Sequence, residues 1–221
     1  MEISKNLLTI NQYSRPGKKR SKTTKLAVHW VGNANSTAIA NRNYFESLKD
    51  KKIYASSHYI IGLQGEIIQC VPEDEIAYTT NDANSYSIGV ECCHPDWTGK
   101  FNDKTYKSMV ELFADLCKRY NLDPIKDIIR HYDVTKKICP KYFVDFPKEF
   151  EKFKEDVKKE MQGQGDEYEV TKTKIVINGV EKEVNVINIE GNNFIKLQDL
   201  RDDKIVVGYD STKKMPTVTT K

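Results

Sequence analysis

Two kinds of apolar pattern alternate along the first 160 residues. Short apolar runs, such as Lys25–Trp30 and Ser87–Glu91, are typical of buried β-strands. Between them lie stretches with helical spacing. Lys104–Tyr120 is the clearest of these, because its apolar residues recur at intervals of three and four. Strands that alternate with helices predict an α/β fold, in which helices flank a central sheet.

The other elements predicted in this part of the chain have weaker patterns but recognisable ends. Thr37 is a suitable N-cap, and Pro147 suits the first turn of a helix. These remaining elements are a helix from Thr37 to about Lys49, a hairpin of Ser57–Ile61 and Glu66–Cys70, a short strand Asp127–Arg130, and a last helix from Pro147.

The pattern changes after a polar, glycine-containing segment, Gly-Gln-Gly-Asp-Glu-Tyr, at 163–168. We expect this segment to be a linker between an α/β domain, 1–162, and a small β-rich C-terminal domain, 169–221. Asn178-Gly179 and Gly191-Asn192 are turn signals between its strands. The strands predicted there are Val170–Asn178, Glu183–Ile189, Phe194–Leu197, Lys204–Tyr209 and Pro216–Val218.

Composition narrows the class of protein. Of the 221 residues, 38% are hydrophobic and 30% are charged, and the net charge is +3. No apolar stretch approaches the ~18 residues of a membrane-spanning helix, so we expect no membrane insertion. The charge excess is too small to indicate nucleic-acid binding. The first twenty residues contain no long apolar block, which predicts synthesis without a secretory signal peptide. The five cysteines are then expected to be reduced.

Three residues could hold a metal ion. His29 ends the apolar run Leu26-Ala27-Val28, His131 closely follows Ile128-Ile129, and Cys139 lies eight residues further on. Two imidazoles and a thiolate suit tetrahedral Zn²⁺, and three protein ligands would leave a fourth position for water. The spacing also allows another interpretation, in which two strand-end histidines are satisfied by hydrogen bonds and the cysteine is simply buried.

A family resemblance bears on this choice. Four segments occur in order: KLAVHWVGN at Lys25–Asn33, SHYII at Ser57–Ile61, SIGVE at Ser87–Glu91 and HYDVTKKICP at His131–Pro140. Together they resemble the zinc N-acetylmuramoyl-L-alanine amidases of type 2, a family that includes small phage lysozymes with amidase activity and the peptidoglycan recognition proteins. The resemblance covers roughly residues 20 to 160. It implies a mixed central sheet flanked by helices, in agreement with the pattern above.

The resemblance also implies roles for individual residues. By position, His29, His131 and Cys139 match the three zinc ligands of the family, so the expected cofactor is Zn²⁺. Lys137 matches a lysine that family members place beside the reacting water and the scissile carbonyl.

One departure concerns the general base. Some relatives carry a catalytic tyrosine immediately before the histidine of the second segment, and Ser57 stands there in this chain. Other relatives use a glutamate at the end of the third segment, which is present as Glu91. We therefore expect Glu91 to be the general base. His58 also matches a family position, and it could line the substrate groove, support the site from behind, or be a core histidine.

The implied activity is hydrolysis of the amide between N-acetylmuramic acid and L-alanine in bacterial peptidoglycan. Without a signal peptide, such an enzyme is expected to be a phage endolysin, made in the host cytoplasm and acting on the wall after release. A host autolysin is the alternative. The C-terminal module would target the wall, self-associate or merely stabilise the protein. Three other readings stay open: a cysteine-nucleophile wall peptidase using Cys139 or Cys92, a non-catalytic peptidoglycan-binding protein, and a structural zinc site.

Overall fold

The computed structural model describes residues 1–163, 170–177, 179–189, 191–212 and 215–220. Its backbone forms two compact units, Met1–Gln164 and Gly165–Lys221. Of the linker predicted at 163–168, all residues after Gly163 lie outside the described part of the chain. Each unit is described on its own below.

The first unit is built on a six-stranded sheet with the strand order β1-β4-β3-β5-β2-β6. Most neighbouring strands are parallel, and β3 and β4 form the antiparallel pair of the predicted hairpin. The sheet is therefore mixed, and the predicted fold class is confirmed. The strands are β1 (Ile3–Lys5), β2 (Lys25–Trp30), β3 (Tyr59–Ile61), β4 (Ile67–Gln69), β5 (Ser87–Cys92) and β6 (Ile128–Arg130).

Helices cover both faces of this sheet. The α-helices are α1 (Ala38–Lys51), α2 (Asp103–Tyr120), α3 (Pro124–Asp127), α4 (His131–Thr135), α5 (Lys141–Asp145) and α6 (Pro147–Met161). The Thr37 side chain accepts a hydrogen bond from the Ala40 N–H, as expected of an N-cap, and Asn102 caps α2 in the same way. None of the described helices is both long and apolar enough to cross a bilayer.

The two faces of β2 and β5 have different tasks. Leu26 and Val28 pack with the buried side chains of α2 and α6, in a core that includes Phe113 and Phe153. Side chains alternate between the faces of a strand, so His29 projects to the opposite side, the side covered by α1. The alternation therefore leaves positions on β2 and β5 for polar groups such as His29 on the face opposite this core, next to a second apolar cluster under α1.

The second unit is β-rich, as predicted, and also contains a 3₁₀-helical turn at Leu197–Leu200. A three-stranded antiparallel sheet has the order β7-β8-β9, and β10 and β11 form a separate antiparallel pair. Among the described residues of this unit, few apolar side chains are buried: Val184, Val186, Ile205 and Val207. The strands are β7 (Val170–Ile177), β8 (Val180–Ile189), β9 (Asn192–Ile195), β10 (Ile205–Asp210) and β11 (Met215–Thr220).

Candidate metal centre and active-site cavity

The two histidines predicted as ligands reach the same place because their strands are neighbours. β2 and β6 pair in parallel, with Val28 opposite Arg130, and His131 is the first residue of α4 directly after β6. The carboxyl ends of these two strands therefore lie at the same edge of the sheet. The His29 and His131 rings consequently lie with their centroids 4.9 Å apart.

Cys139 completes the group from the segment between α4 and α5. Its Sγ lies 3.6 Å from Nδ1 of His29, and one potential ligand atom from each of the three residues lies within 4.8 Å of the others. In a tetrahedral zinc site, ligand atoms about 2.0–2.3 Å from the ion are separated by roughly 3.5 Å. All three side chains are buried. The donor set and its spacing therefore fit a zinc ion.

Burial also sets the protonation of these groups in the metal-free chain. It lowers the pKa of His29 well below its usual value, with help from His131 and Lys137, and it lowers that of His131 to about 4, again aided by Lys137. Both rings are neutral at pH 7 and can offer a lone pair to a metal. Burial raises the pKa of Cys139 to about 12. A nucleophilic cysteine needs a depressed thiol pKa, so this environment disfavours the cysteine-peptidase alternative.

Glu91 lies beside His29. In the parallel pairing of β2 with β5, His29 is directly opposite Glu91, so both side chains project from the same face of the sheet. Oε2 of Glu91 is buried and has no hydrogen-bond partner among the described residues. Burial raises the pKa of Glu91 to about 8, although the nearby charge of Lys137 opposes the shift. A buried carboxyl oxygen without a partner is costly in a fold and is poised to receive one from a ligand or a water molecule.

A cavity of about 650 Å³ connects the predicted catalytic groups. This volume is typical of a small-ligand site. Exposed Lys137 lies on its wall, together with Glu91, His131 and Cys139. The rest of the lining is aromatic, aliphatic and amide-bearing, and includes Trp30, Tyr44, Phe45, Tyr78, Asn33, Asn41 and Ile138.

His58 occupies a different environment. It is fully buried, its Nδ1 accepts a hydrogen bond from the Gly89 N–H, and its Nε2 lies 3.0 Å from the Glu75 carbonyl oxygen and 3.3 Å from Arg20 Nη1. It is absent from the lining of the cavity. These contacts favour the core-histidine alternative over a place in the substrate groove.

Sequence reasoning missed two residues that contact the two histidines predicted as metal ligands. Thr80 Oγ1 lies 2.9 Å from Nε2 of His29, and Asn81 Oδ1 lies 3.1 Å from Nε2 of His131. Both residues lie in a polar turn some fifty residues from either histidine. No periodicity or motif in the sequence singles them out, because their relation to the site exists only in three dimensions.

Comparison with known proteins agrees with this geometry. The profile of the N-acetylmuramoyl-L-alanine amidase family matches residues 19–142. The chain is 34% identical over 181 residues to the N-acetylmuramoyl-L-alanine amidase BlyA of Bacillus subtilis, a match that covers 73% of this chain and 48% of BlyA. It is 34% identical over 171 residues to the amidase CwlL of Bacillus licheniformis, covering 71% of this chain and 47% of CwlL. The matched segments thus span about half the length of these relatives.

Solved structures share the fold of the first unit. PlyL is 25% identical with a TM-score of 0.61, and the match covers 71% of this chain and 97% of PlyL. The PlyG catalytic domain, at 24% identity, gives a TM-score of 0.62 over 73% of this chain and 96% of that domain. The matched family segment spans more than half of the chain and contains all three potential metal ligands, Glu91 and Lys137. The chain therefore belongs to the N-acetylmuramoyl-L-alanine amidase family.

Proposed function

We propose that this protein is a zinc-dependent amidase that hydrolyses the bond between the lactyl group of N-acetylmuramic acid and the L-alanine of the peptide stem. The convergence of His29, His131 and Cys139, the last two of which line the cavity, is the observation that carries the proposal. Zn²⁺ held by these residues would supply Lewis-acid polarisation of the scissile carbonyl and would lower the pKa of a water molecule.

Glu91 would move the proton. Its carboxyl group borders the cavity beside His29, and its Oε2 has no partner among the described residues. Burial alone keeps a proton on this group near neutral pH, but the positive charge of Zn²⁺ on the neighbouring ligands would favour the ionised form, which can accept a proton from the attacking water. The same oxygen would then deliver the proton to the nitrogen of L-alanine, so that the leaving group departs as an amine. An amide nitrogen is a poor leaving group, and this proton transfer is the step that makes its departure possible.

Lys137 would stabilise charge on the substrate. It lies on the cavity wall, and its cationic field reaches His29, His131 and Glu91, whose pKa values it lowers. A cation at this position can stabilise the negative charge that develops on the carbonyl oxygen during attack. Loss of one such group typically reduces the rate by about 10²–10³.

The remaining alternatives are less well supported by the geometry. A structural zinc site normally has four protein ligands, and the described residues offer a cluster of three that opens onto a cavity. A protein that only binds peptidoglycan has no need for an unpartnered buried carboxyl group beside the metal ligands. Both features favour catalysis.

We also propose that the protein is an endolysin whose C-terminal module, 169–221, binds the cell wall. A compact unit of β-strands following the catalytic domain would hold the enzyme on its polymeric substrate. Peptidoglycan is then the partner of both units.

The test of the amidase proposal is removal and restoration of the metal. We expect a chelator to abolish release of peptide stems from purified peptidoglycan, and Zn²⁺ to restore it. Mass spectrometry should find stems with a free L-alanine amine and glycan strands with an intact lactyl carboxylate. Undiminished hydrolysis by the metal-free protein, or cleavage at another bond, would contradict the proposal.

A further inference from the structure

We propose that Thr80 and Asn81 are positioning residues that fix the tautomer and orientation of the two metal-binding histidines. The inference rests on the proposed zinc site. It concerns the nitrogen of each ring that would not bind the metal. It also assigns a role to a turn that takes no part in the proposed reaction.

The two rings are held in the same way. Nδ1 of His29 faces Cys139 Sγ at 3.6 Å, while its Nε2 lies 2.9 Å from Thr80 Oγ1. For His131, Nε2 lies 3.1 Å from Asn81 Oδ1, which leaves Nδ1 free for the metal. In each ring, therefore, Nε2 lies within hydrogen-bond distance of a side-chain oxygen, and Nδ1 is left for the metal.

The chemistry of these oxygens requires the Nε2-protonated tautomer in His131 and is compatible with it in His29. The amide oxygen of Asn81 can only accept, so Nε2 of His131 must carry the proton. Thr80 Oγ1 lies 2.8 Å from Thr79 Oγ1 and can donate there while it accepts from His29. A neutral imidazole with a proton on Nε2 presents its lone pair at Nδ1, where the metal would bind.

The turn that carries both residues is itself tightly constrained. Asn84 Oδ1 accepts hydrogen bonds from the Thr79 N–H at 2.9 Å and from the Thr80 N–H at 2.6 Å. Thr80 is completely buried. Asn81 has a φ of +51°, in the left-handed region that asparagine tolerates better than most residues. One short turn thus presents two acceptors in fixed positions.

This arrangement links ligands that come from different parts of the fold. His29 belongs to β2 and His131 follows β6, and neighbouring residues of one turn contact both. Loss of such a supporting partner typically weakens metal binding by about 10–100-fold. We expect this size of effect from each residue.

The test compares zinc affinity in variants, measured by competition with a chromophoric chelator. Thr80→Val removes the hydroxyl group at nearly constant volume, and Asn81→Gly removes the amide while tolerating the positive φ. Each should weaken zinc binding by about 10–100-fold. Thr80→Ser, which keeps the hydroxyl group, should restore affinity to within about threefold of wild type.

Matched controls exist in the same unit. Thr105 is also fully buried and donates its hydroxyl hydrogen to the Gly62 carbonyl, and Asn121 also has a positive φ, of +53°. Thr105→Val and Asn121→Gly should leave zinc affinity unchanged, even if they lower the melting temperature. Equal weakening by test and control variants would overturn the proposal, because it would indicate a general loss of stability.

A second measurement uses the unmodified protein. Long-range ¹H–¹⁵N NMR of the zinc-loaded chain should show both rings protonated at Nε2 and bound to the metal through Nδ1. The opposite tautomer in either ring would overturn the proposal, even if a variant failed to fold. These readouts do not involve peptidoglycan, so a protein that binds zinc as expected but fails to cleave the amide would contradict only the proposed function.

Discussion

Glu91 places a cost on the fold that its proposed role explains. A buried polar atom without a partner destabilises a protein by roughly 1–3 kcal/mol, and most native structures avoid it. Here the unpartnered oxygen lies beside His29 and borders the cavity. The fold is therefore less stable because of Glu91, at the position where the proposed reaction needs a carboxyl group without a fixed partner.

Replacing Glu91 with glutamine tests its proposed role as the general base. Glu91→Gln keeps the shape of the side chain but cannot take up a proton, so turnover should fall by about 10²–10⁴. Zinc content should stay at one ion per chain, because Glu91 is not among the proposed ligands. Glu155→Gln, on an exposed position of α6, is the matched control and should keep full activity. Loss of zinc from Glu91→Gln would make Glu91 a ligand and refute the assignment.

His58 should contribute to the acid sensitivity of the fold. Burial, together with the charge of Arg20, lowers its pKa from 6.5 to about 4. Between pH 6.5 and 4 the His58 imidazole is protonated in the unfolded chain but neutral in the folded chain. The free energy of unfolding therefore decreases as the pH falls from 6.5 to 4. The full effect is about 3 kcal/mol.

The measurement is the free energy of unfolding in denaturant between pH 4 and 7 at saturating zinc. His58→Asn provides an acceptor, near the position of Nδ1, for the Gly89 N–H. The variant should be less stable than wild type at pH 7 but should lose less stability on acidification. Parallel curves for the two proteins would show that His58 does not titrate as its burial indicates.

Strand β5 lies directly against the turn whose residues Thr80 and Asn81 contact the two histidines. At Gly89 a side chain is missing, and a Cβ there would lie 2.4 Å from Thr79 Oγ1 and 2.6 Å from its Cβ. The turn can therefore rest directly on the strand. Thr79 is followed by Thr80, which contacts His29, so the glycine in the middle of this strand supports the proposed metal site indirectly.

Gly89→Ala should push this turn away from the sheet. We expect a loss of stability of about 1–3 kcal/mol from overpacking, and a zinc affinity reduced by about tenfold or more. Gly208→Ala, in β10 of the other unit, is the control and should leave zinc affinity unchanged. Wild-type zinc affinity in a folded Gly89→Ala protein would show that the turn can shift without disturbing the histidines.

The two compact units differ in how much core each can bury. The first contains a sheet with apolar layers on both faces, whereas the second buries few large side chains. Several apolar side chains of the second unit are exposed instead, among them Phe194 and Tyr209. A unit of this size is marginally stable alone, so the first unit is the one expected to remain folded after separation.

Truncation after Gln162 tests whether the first unit is stable alone and whether the C-terminal module binds the cell wall. The remaining chain should keep its melting temperature, bind zinc and hydrolyse small soluble muropeptides at the wild-type rate. Its affinity for intact cell walls should fall by about tenfold or more, because the second point of attachment is lost. Unchanged binding to walls and unchanged lysis would reject the targeting role of the C-terminal module.

Local pattern was sufficient for the long elements. The apolar run of Lys25–Trp30 and the stripe of Lys104–Tyr120 match β2 and α2 to within one residue, and Pro147 begins α6 as predicted. Each of these elements buries one face, so the spacing of its apolar residues can be recognised within a single continuous segment. The three-residue strand β1 escaped detection, since it is an edge strand defined by pairing with β4 and is too short to show a period.

For the site, the sequence indicated the residue types, and the family resemblance selected His29, His131 and Cys139 from among the histidines and cysteines. What the linear pattern could not express was proximity. The parallel pairing of β2 with β5 and β6 places Glu91 and His131 beside His29, and the same packing buries His58 away from the cavity. Thr80 and Asn81 acquire their contacts by the same route. Such neighbours depend on chain segments far apart in sequence, which only the assembled sheet brings into contact.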